Sequence, residues 1–171
     1  MAQFEAGGFL MVATRKEIER RLLVLNGLDL SGVNHAADML TLGFGPLKEV
    51  KNFKGTVKHV GKWAFHVQCN WRIERAGAPI AAREDFCGSD EKAHDAANRL
   101  REILIGQGLT RVESVTASDV AGVVILLSRE FSLIVIPDGV EDEEDWRFFA
   151  PGVDAAHLVI KGGKVAAESF E

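Results

Sequence analysis

The chain has 171 residues, of which 47% are hydrophobic, and a formal net charge of −5. These values predict one folded domain over residues 1–171 and argue against a disordered chain. A general nucleic-acid binder is not expected, because such proteins carry a basic excess. No apolar stretch approaches the roughly 20 residues of a transmembrane helix, and Phe9–Ala13 is too short for a signal peptide. We therefore expect a cytoplasmic protein with no membrane partner.

The charges are unevenly placed along the chain. Six acidic residues lie within positions 138–145, and without them the chain has 19 acidic against 20 basic residues. A second stretch, from Lys48 to Lys62, has five lysines and one glutamate. The acidic excess is therefore local, and a separate segment is basic.

A helix is predicted at about residues 15–25, because apolar residues recur there at helical spacing. Residues 31–44 are ambiguous between helix and strand, and the Gly45-Pro46 pair that follows favours a strand. The lysine-rich stretch up to Lys62 is typical of a hairpin loop or an exposed sheet edge, where lysine discourages further pairing.

Residues 64–74 show the clearest strand pattern in the chain, with apolar and polar residues alternating. This two-residue period predicts one buried face and one polar face. The turn Gly77-Ala78-Pro79 follows, and 80–86 is the expected partner strand.

A second helix is predicted at about residues 90–105, with a cap at Ser89 or Asp90. Further strands are predicted at 111–116, 121–127, 131–136, 146–149 and in a hairpin over 157–166. Because the connections are short and no regular strand–helix alternation occurs, we expect an α+β fold, mainly antiparallel sheet built from hairpins, with two helices.

The sequence offers little sign of catalysis. It lacks nucleophile-elbow, zinc-protease and phosphate-loop motifs. Cys69 and Cys87 do not form a CxxC pair, which favours two free, buried thiols over a disulfide. The five histidines are scattered without metal-ligand spacing. We therefore expect no catalytic residue, no metal site and no cofactor.

One candidate site is the polar face of the predicted strand at 64–74. His66, Gln68, Asn70 and Arg72 alternate there and offer donors, acceptors and one positive charge. Such a face is either an ordinary solvated sheet surface or a recognition surface for a ligand.

A second candidate site is the acidic segment with its neighbouring tryptophan. Asp142, Glu143 and Glu144 form a charge run of the kind that is usually a solvated loop. Trp146 follows closely, and charge beside an aromatic anchor is a common combination in protein interfaces. Trp146 alternatively starts a strand and points into the core.

Several segments together resemble those of a family of small bacterial proteins for which no activity is assigned. The resemblance covers most of residues 27–160, and its most specific part is the string around Gln68. The C-terminal half, with a hairpin, an acidic turn and Trp-Arg, also resembles immunity proteins of bacterial toxin systems. The segments are Gly27-Leu28-Asp29-Leu30, Ala36-Ala37-Asp38-Met39, Phe65-His66-Val67-Gln68-Cys69-Asn70-Trp71-Arg72, Asp145-Trp146-Arg147-Phe148-Phe149 and His157-Leu158-Val159.

The leading functional hypothesis is a non-enzymatic binding protein, in its sharpest form an immunity-type protein that neutralises a basic toxin partner. The first alternative is an enzyme or ligand-binding module with its site on the face of His66 and Arg72. The second is a structural homo-oligomer in which the segment Lys48–Lys62 meets the acidic loop of a neighbouring copy.

Overall fold

A computed structural model describes residues 14–171. The described chain forms two antiparallel sheets, two α-helices and several short helical turns. The helices are α1 (14–22) and α2 (Asp90–Arg101), and the turns are Leu23–Leu25, Arg83–Phe86, Glu102–Gly106 and Ala167–Phe170. The strands are β1 (Leu30–Ala36), β2 (Met39–Lys51), β3 (Val57–Val67), β4 (Asn70–Arg75), β5 (Ala78–Ala82), β6 (Val112–Ala117), β7 (Val123–Leu127), β8 (Phe131–Ile136), β9 (Glu144–Phe149), β10 (Leu158–Lys161) and β11 (Lys164–Val165).

The first sheet has the strand order β1-β2-β3-β9-β10-β11, and the second has the order β5-β4-β8-β7-β6. Every paired neighbour is antiparallel. The predicted α+β fold of hairpins with two helices is therefore confirmed. Within residues 14–171, no helix has the length and apolar character needed to cross a membrane. Phe9–Ala13 lies outside the described residues.

The predicted strand at 64–74 is in fact two strands, one in each sheet. β3 ends at Val67 and β4 begins at Asn70. Between them, the backbone N–H groups of Gln68 and Cys69 both donate to the Asp145 carbonyl, at 2.9 and 3.0 Å. The alternation continues through this break because both sheets bury the same side of the chain, so the expected burial of Cys69 and exposure of Gln68 are confirmed. Alternation alone does not show where a strand changes sheets.

Residues 31–44 form strand, as the sequence favoured, but they belong to a hairpin rather than to one strand. β1 turns into β2 at Ala37, which has a positive φ of 53°. β2 then continues to Lys51, and β3 starts at Val57. The basic stretch is consequently a paired hairpin with a loop of residues 52–56. The predicted partner strand 80–86 is shorter than expected, because Arg83–Phe86 is a helical turn.

The remaining elements match their predictions closely. The Ser89 side chain accepts a hydrogen bond from the Lys92 backbone N–H at 3.1 Å, which caps α2. β7 and β8 form the expected hairpin, and β10 and β11 turn at Gly162 and Gly163, with φ of 57° and 71°. Two consecutive positive φ values are those of a type I′ turn, which glycine adopts without steric cost.

One hydrophobic cluster fills the space between the sheets and helices. Trp71 and Trp146 are among its largest fully buried side chains. Cys69 is also buried, whereas Cys87 is exposed, and both are free thiols. The expectation of two free thiols is thus confirmed, but burial of Cys87 is wrong, because Cys87 lies at the end of the turn Arg83–Phe86 on the surface.

Candidate functional site

The acidic segment divides into an exposed part and a buried part. Glu141, Asp142 and Glu143 are exposed, and none of the ion pairs within residues 14–171 involves them. Glu144 is half-buried, and Asp145 is only 2% exposed. We call residues 138–143 the acidic loop, which connects β8 to β9.

The buried Asp145 side chain holds the acidic loop in place through hydrogen bonds from backbone N–H groups. One carboxylate oxygen accepts hydrogen bonds from the backbone N–H groups of Asp138 and Gly139, at 2.9 and 3.4 Å. The other accepts from the Gly163 N–H at 2.8 Å. A single buried carboxylate therefore connects both ends of the loop to the β10–β11 turn.

Further backbone contacts hold the loop in one shape. The Glu143 N–H donates to the Val140 carbonyl at 3.0 Å, and the Gly162 N–H donates to the Glu143 carbonyl at 3.0 Å. Asp142 has a φ of 64°, a conformation that aspartate and asparagine tolerate better than most residues. The exposed carboxylates are thus presented from an ordered backbone.

Trp146 is completely buried, and its indole N–H donates to the Ala121 carbonyl at 2.9 Å. Its ring packs edge-on against Phe65, with ring centroids 5.1 Å apart. Trp146 starts a strand and points into the core, so the hypothesis that it is a partner-binding anchor on the surface must be corrected. Strand alternation explains this placement, because Trp146 and Phe148 lie on the buried face of β9, opposite Arg147 and Phe149.

An apolar depression of about 300 Å³ lies beside the acidic loop. Gly163 of the β10–β11 turn lies between the depression and the acidic loop. A Cβ atom built on Gly163 would lie 3.3 Å from the Val120 carbonyl and 3.9 Å from Gly139 Cα. Val120 and Ile136 are 68% and 42% exposed there. The depression is lined by Thr116, Ala117, Ser118, Val120, Gly122, Val123, Val124, Val135, Ile136 and Pro137.

The outer face of the first sheet carries a second group of side chains, which we call the histidine cluster. Its members are His66, Gln68, Glu144, Arg147, Phe149 and His157. Arg147 lies opposite His66 in the β3–β9 pairing. Its guanidinium binds both carboxylate oxygens of Glu144, at 2.7 and 3.3 Å. The Gln68 side-chain amide donates to the same carboxylate at 2.9 Å. Glu144 is therefore engaged within the fold and does not belong to the exposed acidic loop.

Two imidazoles flank the Phe149 ring in this cluster. His157 stacks on Phe149 with a centroid distance of 4.3 Å, and His66 meets it edge-on at 4.9 Å. An Arg147 Nη1 lies 3.0 Å from His157 Nδ1. Burial, and then the positive charge of Arg147, lower the pKa of both His66 and His157 below 6.5. Both imidazoles are consequently held in the neutral form at neutral pH.

Asn70 and Arg72 do not join His66 and Gln68, since they lie on β4 in the second sheet. Arg72 Nε instead donates to Glu74 at 2.7 Å. The predicted four-residue face is therefore wrong as a single surface, because the chain changes sheets at Gln68. Within β3 and within β4 taken separately, the side chains still alternate between the buried and the polar side, as the sequence predicted.

Sequence reasoning missed Arg147, Phe149 and His157 as neighbours of His66. The available signal was the alternation within β9, where buried Trp146 and Phe148 leave Arg147 and Phe149 on the other side. The pairing of β9 beside β3 was not readable, because the two strands are far apart in sequence.

The rest of the described chain offers weaker chemistry. Among residues 14–171, no group of three or more His, Cys, Asp or Glu side chains is arranged to hold a metal ion. Burial raises the pKa of Cys69 to about 12, which leaves it an unreactive thiol. A depression of about 340 Å³ at the start of α2 is lined mainly by charged side chains, Asp85, Glu91, Lys92, Asp95 and Arg99 among them.

Comparison of the chain with protein-family models, with curated proteins and with solved structures gave no match in any of the three cases.

Proposed function

We propose that this chain is a non-enzymatic binding protein that contacts a basic protein partner through the acidic loop and the adjoining apolar depression. The observation that carries the proposal is the juxtaposition of three exposed carboxylates, Glu141, Asp142 and Glu143, with an exposed apolar surface around Val120 and Ile136. Charges steer a partner towards a surface, and apolar contacts hold it there. The carboxylates supply the steering charge, and the apolar surface supplies the contact that holds the partner.

The rigidity of the acidic loop supports this proposal. A flexible loop loses conformational entropy when it binds, which weakens the complex. Here the buried Asp145 carboxylate and the Glu143 backbone contacts already order the loop. A partner would therefore meet carboxylates whose backbone is in place before contact.

The sharper form of the proposal is an immunity-type protein that covers the site of a toxin. A toxin that cleaves nucleic acid has a basic site built for phosphates, and closely spaced carboxylates offer a similar density of negative charge. The resemblance of the C-terminal half to immunity proteins supports the same idea.

The contacts of the histidine cluster favour a structural role for it. Arg147 is engaged by Glu144, and the two imidazoles pack on Phe149 rather than on open surface. Neither of the two depressions described above includes His66 or Gln68. The enzyme or ligand-binding alternative stays a prediction that no observation here favours.

The test is affinity capture from a bacterial lysate, followed by kinetic measurement with the captured protein. The variant Glu141→Gln/Asp142→Asn/Glu143→Gln removes three charges and keeps side-chain size and the positive φ at Asp142. We expect its association rate to fall most at low salt, since a screening length of about 8 Å at 0.15 M weakens steering.

The matched control removes three exposed acids elsewhere, in Glu113→Gln/Asp154→Asn/Glu171→Gln. It changes the net charge equally, so a purely global charge effect would slow both variants alike. The proposal is refuted if the acidic-loop variant associates at the same rate, and with the same salt dependence, as the control.

A further inference from the structure

β2 and β3 are longer than their neighbouring strands and extend beyond the rest of the first sheet. The β1–β2 pairing reaches no further along β2 than Phe44, and the β3–β9 pairing begins at Ala64. Beyond these points, β2 and β3 pair only with each other among the described strands, up to the pair Lys51–Val57. We call the segment from Lys48 to Lys62 the basic hairpin.

The end of the basic hairpin combines positive charge with an exposed aromatic ring. Phe53 is 95% exposed in the loop, and Lys51, Lys54 and Lys58 around it are exposed. The one acidic residue of the hairpin, Glu49, lies 3.4 Å from His59. Lys54 Nζ lies 5.8 Å from the centre of the Phe53 ring, so positive charge and apolar area lie together at the tip and can enter one contact surface.

The basic hairpin and the acidic loop lie at opposite ends of β3. The hairpin tip directly precedes Val57, the first residue of β3. The other end of β3 leads to Gln68, whose N–H donates to the Asp145 carbonyl next to the acidic loop. At about 3.3 Å per residue, the length of β3 separates these ends by roughly 30 Å. Since charges screen over about 8 Å in physiological salt, the two segments do not satisfy each other within one molecule.

We infer that the basic hairpin of one copy docks on a second copy, with Phe53 in the apolar depression and the hairpin lysines against the acidic loop. This inference rests on the proposed binding surface and names an occupant for it. The depression, at about 300 Å³, is large enough for an aromatic ring, because a cavity of roughly 150 Å³ already accommodates benzene. In the β10–β11 turn, Gly162 lies against the Glu141 backbone and Gly163 against the Val120 carbonyl, so the acidic loop borders the depression where the lysines of the hairpin would arrive.

Charge complementarity selects a second copy over other anionic partners. Lysines with an exposed aromatic also suit nucleic acid or an anionic membrane, but neither would make use of the apolar depression. The second copy offers both an apolar site and opposite charge. Two copies related by a two-fold axis would form this contact twice, with the hairpin of each copy on the acidic loop of the other, and so close the dimer.

The first experiment is sedimentation velocity of the full chain over a range of concentrations and salt. We expect association that weakens as salt rises, and we expect Phe53→Ala to weaken it at least tenfold. Leu109→Ala removes an apolar side chain that is 74% exposed elsewhere and is the matched control. Because Phe53 contributes little to the core, its variant should unfold at the same urea concentration as the parent.

The second experiment exchanges the charges. Lys51→Glu/Lys54→Glu/Lys58→Glu and Glu141→Lys/Asp142→Asn/Glu143→Lys should each remain monomeric, because each then has like charges on both surfaces. An equimolar mixture of the two should associate again, since each hairpin meets a loop of opposite sign. A mixture that stays monomeric overturns the inference.

The outcomes also separate this inference from the proposed function. Hairpin variants leave the acidic loop intact, so they should lose self-association and keep capture of the basic partner. If the parent is monomeric at all concentrations while capture still depends on Glu141 and Glu143, the inference fails and the proposed function stands. If the lysines instead bind DNA or anionic vesicles and Phe53→Ala does not alter sedimentation, the second copy is the wrong occupant.

Discussion

The side-chain amide of Gln68 donates a 2.9 Å hydrogen bond to the carboxylate of Glu144. This contact joins the polar strand around His66 to the acidic segment, and its two residues lie 76 positions apart in the sequence. It also assigns Glu144 to the histidine cluster, where Arg147 neutralises it. Charge removal aimed at a partner surface should therefore change Glu141, Asp142 and Glu143 and leave Glu144 in place.

Asp145 should be the acidic residue whose loss costs most stability. Asp145→Ala leaves three backbone N–H groups without their buried acceptor, and we expect a loss of roughly 2–4 kcal/mol in the free energy of unfolding. Asp142→Asn is the control, because the side chain is exposed and asparagine tolerates its positive φ. Urea denaturation should place the control within about 0.5 kcal/mol of the parent. Equal midpoints for the two variants would contradict the anchoring role of Asp145.

Local patterns predicted most elements of the fold. The hairpin of β10 and β11 followed from Gly162-Gly163, and the cap of α2 followed from Ser89, because both signals act within a few residues. The break at Gln68 was not readable for a physical reason. A chain that passes from one sheet to another can keep its buried side unchanged, so the alternation through Cys69 and Trp71 hides the junction.

The candidate sites were only partly predictable. Exposure of Asp142 and Glu143 agrees with the charge run, but the burial of Asp145 and Trp146 depends on the β10–β11 turn and on Ala121, which are distant in sequence. His66 and His157 both contact the Phe149 ring only because β9 lies between β3 and β10. Charge and alternation indicate which residues are polar, and long-range pairing decides which of them meet.

The two buried tryptophans offer a matched test of one hydrogen bond. Trp146 donates to the Ala121 carbonyl, whereas the Trp71 indole N–H has no acceptor among the described residues. Each packs edge-on against a phenylalanine, at 5.1 and 5.2 Å. Changing either tryptophan to Phe removes a similar volume. Trp146→Phe should therefore lower the free energy of unfolding by about 1–2 kcal/mol more than Trp71→Phe, because it leaves the Ala121 carbonyl unpaired. Equal losses in urea denaturation would show that this hydrogen bond contributes nothing net.

Trp71→Ala should cost about 3–5 kcal/mol, the usual result of emptying a buried aromatic site. Its melting temperature should fall accordingly. An unchanged melting temperature would refute the assignment of Trp71 to the core.

The two cysteines should differ sharply towards thiol reagents. Cys87 is exposed, whereas burial raises the pKa of Cys69 to about 12. Only the thiolate reacts, and near pH 8 a thiol of that pKa has roughly one part in ten thousand in this form. A chromogenic disulfide reagent should therefore titrate one thiol in the folded protein and two in denaturant. Cys87→Ser should abolish the folded-state reaction, and a remaining fast phase would contradict the burial of Cys69.

The histidine cluster should make stability depend on pH below neutrality. Burial and the Arg147 charge lower the pKa of His66 and His157 below the unfolded value of 6.5, so the folded state binds fewer protons. Stability contributed by the neutral imidazoles is therefore fully present above pH 6.5 and is lost as pH falls through the folded pKa values. We expect the urea midpoint to fall between about pH 7 and pH 5.5, above the range in which Glu17 and Glu168 titrate.

The double variant His66→Gln/His157→Gln should flatten this part of the pH profile, because glutamine carries no proton to gain. It should also lower stability at pH 7, since the packing on Phe149 is altered, so the slope rather than the absolute midpoint is the informative quantity. His59→Gln is the control, because it removes an exposed histidine of the basic hairpin without touching the Phe149 ring. The control should keep the slope of the parent. A double variant with the parent's slope would place the acid sensitivity elsewhere in the molecule and refute the assignment to this cluster.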